Sequence, residues 1–329
     1  MFQAVLLVSF GGPKGPDDVR PFLANVLRGR RVSPERVEEV AHHYEHFGGI
    51  SPISALTQQQ ADGLRARLAD EGRPLPVYVG MRNWHPFLAD TLREMSDAGI
   101  RRAVGIILAA QHSYSSCQQY KENVADARAA LRESGRPDVD ITYVESWFDH
   151  DLFVETHAAH VRDALGRLPA ELRTGARLIF TAHSIPSPMA EASLYRQQLR
   201  AGAERVAARA GMRDWTLVYQ SRSGRPQDPW LEPDICDYLR QEQAAGLKAA
   251  VISPIGFVCD HIEVLWDLDE EAAHTCREIG IAMARAETAN ADPRFIEMLA
   301  DVVQKTMRRY ERGRPLSVTA PPATAHPRA

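Results

Sequence analysis

Residues 4–13 read AVLLVSFGGP. The apolar run Ala4–Val8 is too short for a helix, and glycine and proline stop it at once. A continuous apolar run of this length predicts a strand buried on both faces, as in a parallel sheet covered by helices. The glycines that follow predict a tight turn into a helix. Runs of the same kind recur at Val77–Gly80, Val104–Ala110, Ile141–Val144, Leu178–Ala182, Leu217–Gln220 and Ala249–Ile255, with Ile281–Ala284 as an eighth. Amphipathic stretches with helical spacing lie between them, at Glu35–Tyr44, Leu56–Asp70, Phe87–Ala98, Gln119–Glu133, Phe153–Leu165, Leu194–Ala210 and Asp234–Ala245. Strand–helix alternation predicts an α/β fold with parallel sheets. The runs divide evenly about a break near Asp138–Asp151, which predicts two similar lobes, although no sequence repeat relates them.

Composition narrows the function. The chain has 329 residues, 44% hydrophobic and 25% charged, which is ordinary globular usage. Lysine and arginine number 39 against 43 aspartates and glutamates, a net charge of −4 that gives no overall pull toward nucleic acid. No apolar run approaches the ~20 residues that span a bilayer. The first apolar stretch has no basic segment before it, so it reads as a strand and a cytoplasmic protein is expected. Cys117, Cys236, Cys259 and Cys276 form no CxxC pair and are expected to be reduced thiols. The segment 314–329, rich in Pro, Ala and Thr, is expected to be disordered.

Open parallel sheets bind ligands beyond the carboxyl ends of their strands, so the residues after each run are the ones to inspect. Ser9-Phe10-Gly11-Gly12-Pro13 is not GxGxxG, and no GxxxxGK[ST] occurs, so nucleotide binding has no support. Arg28, Arg30 and Arg31 form a basic knot suited to carboxylates or phosphates. His42, His43 and His46 form HHxxH without the glutamate of a zinc protease, and a structural or surface role is expected. Ser51 precedes Pro52 at a helix start, where its hydroxyl could donate to an anionic group. Gln111–Cys117 is a polar stretch leading to Tyr120. His183 follows the fifth run, where an imidazole can act as a base near neutral pH. GxSxG is missing, which argues against a serine triad. After the seventh run, Glu263, Asp267 and Glu271 are spaced i, i+4, i+8 and stack three carboxylates on one helix face. An acidic helix start would look the same, but hard oxygen ligands beside a histidine also suit iron(II).

Taken together, these stretches resemble the ferrochelatase family, whose members insert iron(II) into a porphyrin. The resemblance runs from about Ala4 to Arg294. It is carried by LLVSFGGP (6–13), HFGGISPI (46–53), GMRNWHPF (80–87), SYSSCQQY (113–120), FTAHSIP (180–186), YQSRSGRPQDPWLEP (219–233) and SPIGFVCDHIEVLWDLDEEA (253–272). Several stretches look closest to the coproporphyrin-type branch of Gram-positive bacteria, especially actinobacteria. The resemblance implies two Rossmann-like lobes with four-stranded parallel sheets, as in class II chelatases. The expected division is 1–148 and 149–289, with a helix at 290–313 completing the first lobe. His183 matches the family's active-site histidine and Glu263 its partner. Asp267 and Glu271 match an acidic row, and the four together are the expected metal-handling set. Phe10, Arg28, Ser51 and Tyr120 fall on porphyrin-lining positions. Iron(II) enters as substrate. Some members carry an iron-ligating tyrosine at the Phe10 position, which phenylalanine cannot replace. Others hold a two-iron, two-sulfur cluster on cysteines near the C-terminus; none follows Cys276, so no cluster is expected. Coproporphyrin III is the favoured substrate, and transient contacts with other haem-pathway proteins are expected. Protoporphyrin IX as substrate, cobalt or nickel insertion into a sirohydrochlorin-like ring, and a non-catalytic tetrapyrrole carrier remain open on these residues alone.

Overall fold

The computed structural model describes residues 1–29, 32–225 and 227–311. Arg30, Arg31 and the segment 314–329 lie outside the described residues. Among the described residues, eight strands form two four-stranded, all-parallel sheets. The first comprises β1 (Ala4–Ser9), β2 (Val77–Met81), β3 (Arg102–Ile107) and β4 (Asp140–Tyr143) in the order β2-β1-β3-β4. The second comprises β5 (Arg177–His183), β6 (Trp215–Gln220), β7 (Ala249–Ser253) and β8 (Ala282–Arg285) in the order β6-β5-β7-β8. The order is the same in both, so the chain is two doubly wound α/β lobes, as the sequence predicts.

Each sheet is covered on both faces, which is why its strands are apolar throughout. Along β1, Val5 and Leu7 pack against the helices Ile53–Asp70 and Pro293–Glu311 through Leu64, Leu68, Phe295 and Leu299. Ala4, Leu6 and Val8 point the other way, onto Leu92, Met95, Val124 and Leu131. In β5, Leu178, Phe180 and Ala182 share a core with Val154, Ala158 and Val161 of the helix Asp151–Arg167, whereas Ile179 joins Ile235, Leu239 and Leu268 on the opposite face. The alternation is the period-two geometry of a strand. The helix Val19–Val26 has no clear mark in the sequence, because it is short and carries Pro21 in its first turn, where proline is tolerated.

Helix Asp151–Arg167 carries His157, fully buried, with Phe153 edge-on at 4.7 Å and no hydrogen-bond partner for either ring nitrogen. Burial holds its pKa down at about 3. The unfolded chain, with an ordinary histidine, binds a proton that the folded chain does not, so stability is complete above about pH 6.5 and falls as the pH drops from there toward 3. His157→Leu is expected to flatten the decline in Tm between pH 7 and 5; a Tm–pH slope equal to that of the unsubstituted chain would refute this role.

Candidate active site

β5 and β7 are hydrogen-bonded neighbours (Phe180 pairs with Ser253), so the segments leaving their carboxyl ends emerge side by side. One ends in His183 and the other continues as Pro254–Glu263. His183 Nε2 lies 3.8 Å from Glu263 Oε2. The ring is held from behind: Nδ1 donates to the Ser184 carbonyl, and Tyr195 Oη donates to the His183 carbonyl at 3.0 Å. A carbonyl only accepts, so Nδ1 carries a hydrogen and Nε2 is the nitrogen presented to Glu263. The side chains of His183 and Glu263 are 31% and 44% exposed.

Glu263 has a second histidine. His261 Nε2 is 3.4 Å from Glu263 Oε2, while its Nδ1 is 3.2 Å from the Cys259 carbonyl. Desolvation pushes the Glu263 carboxyl up, but the attraction of His183 and the hydrogen bond and charge of His261 outweigh it, and its pKa falls to about 2. Asp267 goes the opposite way. Desolvation, reinforced by Glu263 and Glu271, pushes it up to about 7 against hydrogen bonds from Ser221 Oγ and Gln220 Nε2. Ser221 adopts a left-handed backbone (φ 59°), uncommon for a residue with a side chain, and places that hydroxyl on Asp267. Gln220 Nε2 also donates to the Glu263 carbonyl at 3.2 Å.

The acidic segment is not the continuous α-helix expected. Ile262–Val264 is α-helical, Leu265–Ala272 is a π-helix, and Ala273–Ile279 is α-helical again. In an α-helix of 3.6 residues per turn, side chains four apart drift by about 40° per step. Glu263 lies in the α-turn, whereas Asp267 and Glu271 lie in the wider π-turn that follows, where four residues fall short of a full turn instead of overshooting it. The row runs outward to exposed Glu271, and Asp267 and Glu271 line a cavity of about 180 Å³ with His43, Gln220, Ser221 and Trp266. Its outer wall accounts for HHxxH. His43 stacks on Trp266 (3.9 Å, 10°), and His46 Nε2 is 3.3 Å from Glu270 Oε1. Among the described residues, no three His, Cys, Asp or Glu side chains are gathered as a closed metal site requires.

The ferrochelatase family profile matches residues 2–307. A coproporphyrin III ferrochelatase of Mycolicibacterium smegmatis is 50% identical over 309 residues, 93% of this chain and 90% of that protein. One of Streptomyces coelicolor is 49% identical over 317 residues, 92% of this chain and 84% of that protein.

The chain belongs to the ferrochelatase family.

Solved structures show the fold more widely: the sirohydrochlorin chelatase SirB of Bacillus subtilis with Fe3+ superposes with a TM-score of 0.59 at 12% identity, over 95% of this chain and 98% of its own. The remaining positions that the ferrochelatase resemblance singled out lie in separate surroundings. Phe10 is half-buried, edge-on to Phe22 at 6.2 Å, in an apolar cluster that includes Ile262, the neighbour of Glu263. Tyr120 is buried, with its hydroxyl pKa raised by burial, under the Arg82 guanidinium at 5.7 Å from the ring centroid. Arg28 is exposed and donates to Asn25 Oδ1 at 2.7 Å. Ser51 is buried against the Gly12 turn, where a Cβ on residue 12 would lie 2.6 Å from Ser51 Cβ. Sequence reasoning assigned no role to His261, Gln220, Ser221 or Arg82. They sit at single strand or loop ends, where no periodicity marks them.

Gly256 sets the approach of the two segments. Its N–H donates to the Thr181 carbonyl at 3.1 Å, and a Cβ there would meet Ala182 Cα at 2.7 Å and Cβ at 2.5 Å. Backbone cannot yield as a side-chain tip can. Gly256→Ala is expected to cost about 1–3 kcal/mol by overpacking and to widen the His183–Glu263 gap. Denaturant unfolding and a crystal structure of the variant check this; wild-type stability with an unchanged gap would refute it.

Proposed function

We propose that this protein inserts iron(II) into coproporphyrin III to give coproheme in haem biosynthesis. The observation that carries the reading is the His183–Glu263 pair, with an acidic row leading away from it, in a chain about half identical to proteins named coproporphyrin III ferrochelatase. The substrate choice follows chemistry as well as likeness. Coproporphyrin III carries four propionates where protoporphyrin IX carries two; Arg82 supplies a cationic group over Tyr120, and Arg28 is a second, exposed one. No helix among the described residues is long and apolar enough to cross a membrane. The reading takes residues 1–148 with the C-terminal helix, Pro293–Glu311 among the described residues, as one lobe and 149–289 as the other. It includes no iron–sulfur cluster: Cys117 and Cys259 pack into separate apolar clusters, and only Cys236 and Cys276 share one.

Insertion exchanges one Fe2+ for two pyrrole protons. His183 Nε2 accepts the two pyrrole protons in turn, passing the first along the acidic row to solvent before it takes the second, and the Glu263 carboxylate at 3.8 Å stabilises the imidazolium formed each time. Glu263 remains ionised down to about pH 2, so it supplies charge and not a proton. Bending the macrocycle to bare its nitrogens needs energy, which the propionate contacts provide from outside the reacting centre. Asp267 and Glu271 connect the pair to the outer cavity and serve as the route for iron inward and protons outward.

His183→Ala is expected to abolish insertion, followed anaerobically by loss of free-porphyrin fluorescence, while coproporphyrin III still binds. Full turnover in that variant would overturn the assignment. Asp267→Asn is expected to lower turnover about 10-fold or more and to change its dependence on iron concentration; an unchanged dependence would remove the row from the pathway.

A further inference from the structure

Arg285 ends β8, which β7 separates from the strand that carries His183. Its guanidinium forms a three-way fork. Nε and Nη2 donate to the two oxygens of Asp269 at 2.6 and 2.9 Å, and Nη1 donates to Asp260 Oδ1 at 3.1 Å. Asp260 and Asp269 bracket the stretch that carries His261, Glu263 and Asp267, so one side chain holds both of its ends. The side chains of Arg285 and Asp260 are each only 14% exposed. Asp260 is held again from behind. Its N–H donates to Asn290 Oδ1 at 2.9 Å, and Asn290 Nδ2 donates to Asp260 Oδ2 at 3.2 Å. Asn290 has a left-handed backbone (φ 45°), and its carbonyl accepts from Gln60 Nε2 of the first lobe at 2.6 Å. Ser221 and Asn290 are the only non-glycine residues with positive φ among those described, and each bonds an aspartate of this segment.

A π-helix is an uncommon form that tertiary contacts must hold. Here it also carries Asp267 and Glu271, and like charges four residues apart, with Glu263 in the turn before, disfavour a helix. Asp269 lies within the same eight residues yet takes no part in the row, because Arg285 neutralises it bidentately. Without the fork, Asp260 and Asp269 would be left as partly buried, unpaired charges beside the row, and the segment would lose the clamp across its two ends.

We infer that Arg285 is a positioning residue for iron insertion: through Asp260 and Asp269 it fixes the π-helical register and so the placement of Glu263 and Asp267 relative to His183. This rests on the iron-insertion reading, and the test separates the two. If the unsubstituted protein fails to insert iron into coproporphyrin III, the reading itself fails and this role falls with it. If it turns over, Arg285→Met is expected to lower kcat about 10- to 100-fold, the range for groups that orient ligands from behind. The apparent KM for iron should rise while the Kd for coproporphyrin III, read by fluorescence, stays put. Adding Asp269→Asn to Arg285→Met is expected to restore part of the loss, because it removes the carboxylate left unpaired. Wild-type kcat and iron KM in folded Arg285→Met would overturn the inference. So would a loss that tracks the folded fraction, weakens porphyrin binding equally and is not relieved by Asp269→Asn. Should Arg285→Met fail to fold, Arg285→Lys decides, since it keeps the charge but cannot make the fork: about 10-fold lower kcat at unchanged porphyrin affinity supports the role, and full activity overturns it.

Discussion

The approach of His183 to Glu263 is the contact on which the rest of the structure depends. Two residues far apart in sequence meet because β5 and β7 are paired in a parallel ladder and release their chains at the same edge. Parallel pairing requires helical crossovers, and those crossovers bury both sheet faces, which in turn demands strands that are apolar throughout. A carboxylate placed at that edge is costly unless it is paired. Two histidines, His183 and His261, meet that cost for Glu263. The same surroundings leave Asp267 short of positive charge, so neighbouring carboxyls along one helix face differ in protonation near neutral pH.

The wall opposite comes from the first lobe. The helix Pro34–His46 reaches the acidic segment through the His43–Trp266 stack and the His46–Glu270 contact, while Gln60 on the helix Ile53–Asp70 holds the loop at Cys259 and Asn290. Both lobes therefore contribute to fixing one short segment. The π-turn within it is a local departure from the commoner helix, held by contacts from both lobes, and it carries two of the row's three carboxylates, Asp267 and Glu271.

Much of this was legible in the sequence because it depends on composition over several residues. AVLLVS at Ala4–Ser9 reads as a doubly buried strand, and the other runs read the same way, so both sheets were predictable to within a few residues at their ends. Ile255 continues an apolar run but lies past the end of β7, because burial does not require ladder pairing. His183 and Glu263 were legible from their places after strands. The form of the acidic helix was not, since i, i+4 spacing suits both α- and π-turns. HHxxH has the spacing of a metal pair, but its partners are a tryptophan and a glutamate from the other lobe, which only tertiary contact supplies. The packing of Ser51 against Gly12 was not legible, because the two lie far apart in the sequence. Arg285 carried no local signal, for its two aspartates lie elsewhere in the chain.

The central claim is that the cleft beside His183 and Glu263 inserts iron into a ring with more than two propionates. The most direct measurement is a competition in one anaerobic vessel: limiting iron(II), equal coproporphyrin III and protoporphyrin IX, and the two metallated products separated and quantified. The expected result is a large excess of coproheme, lost when His183 is replaced by alanine. An excess of protohaem, or equal yields of both, would contradict the account.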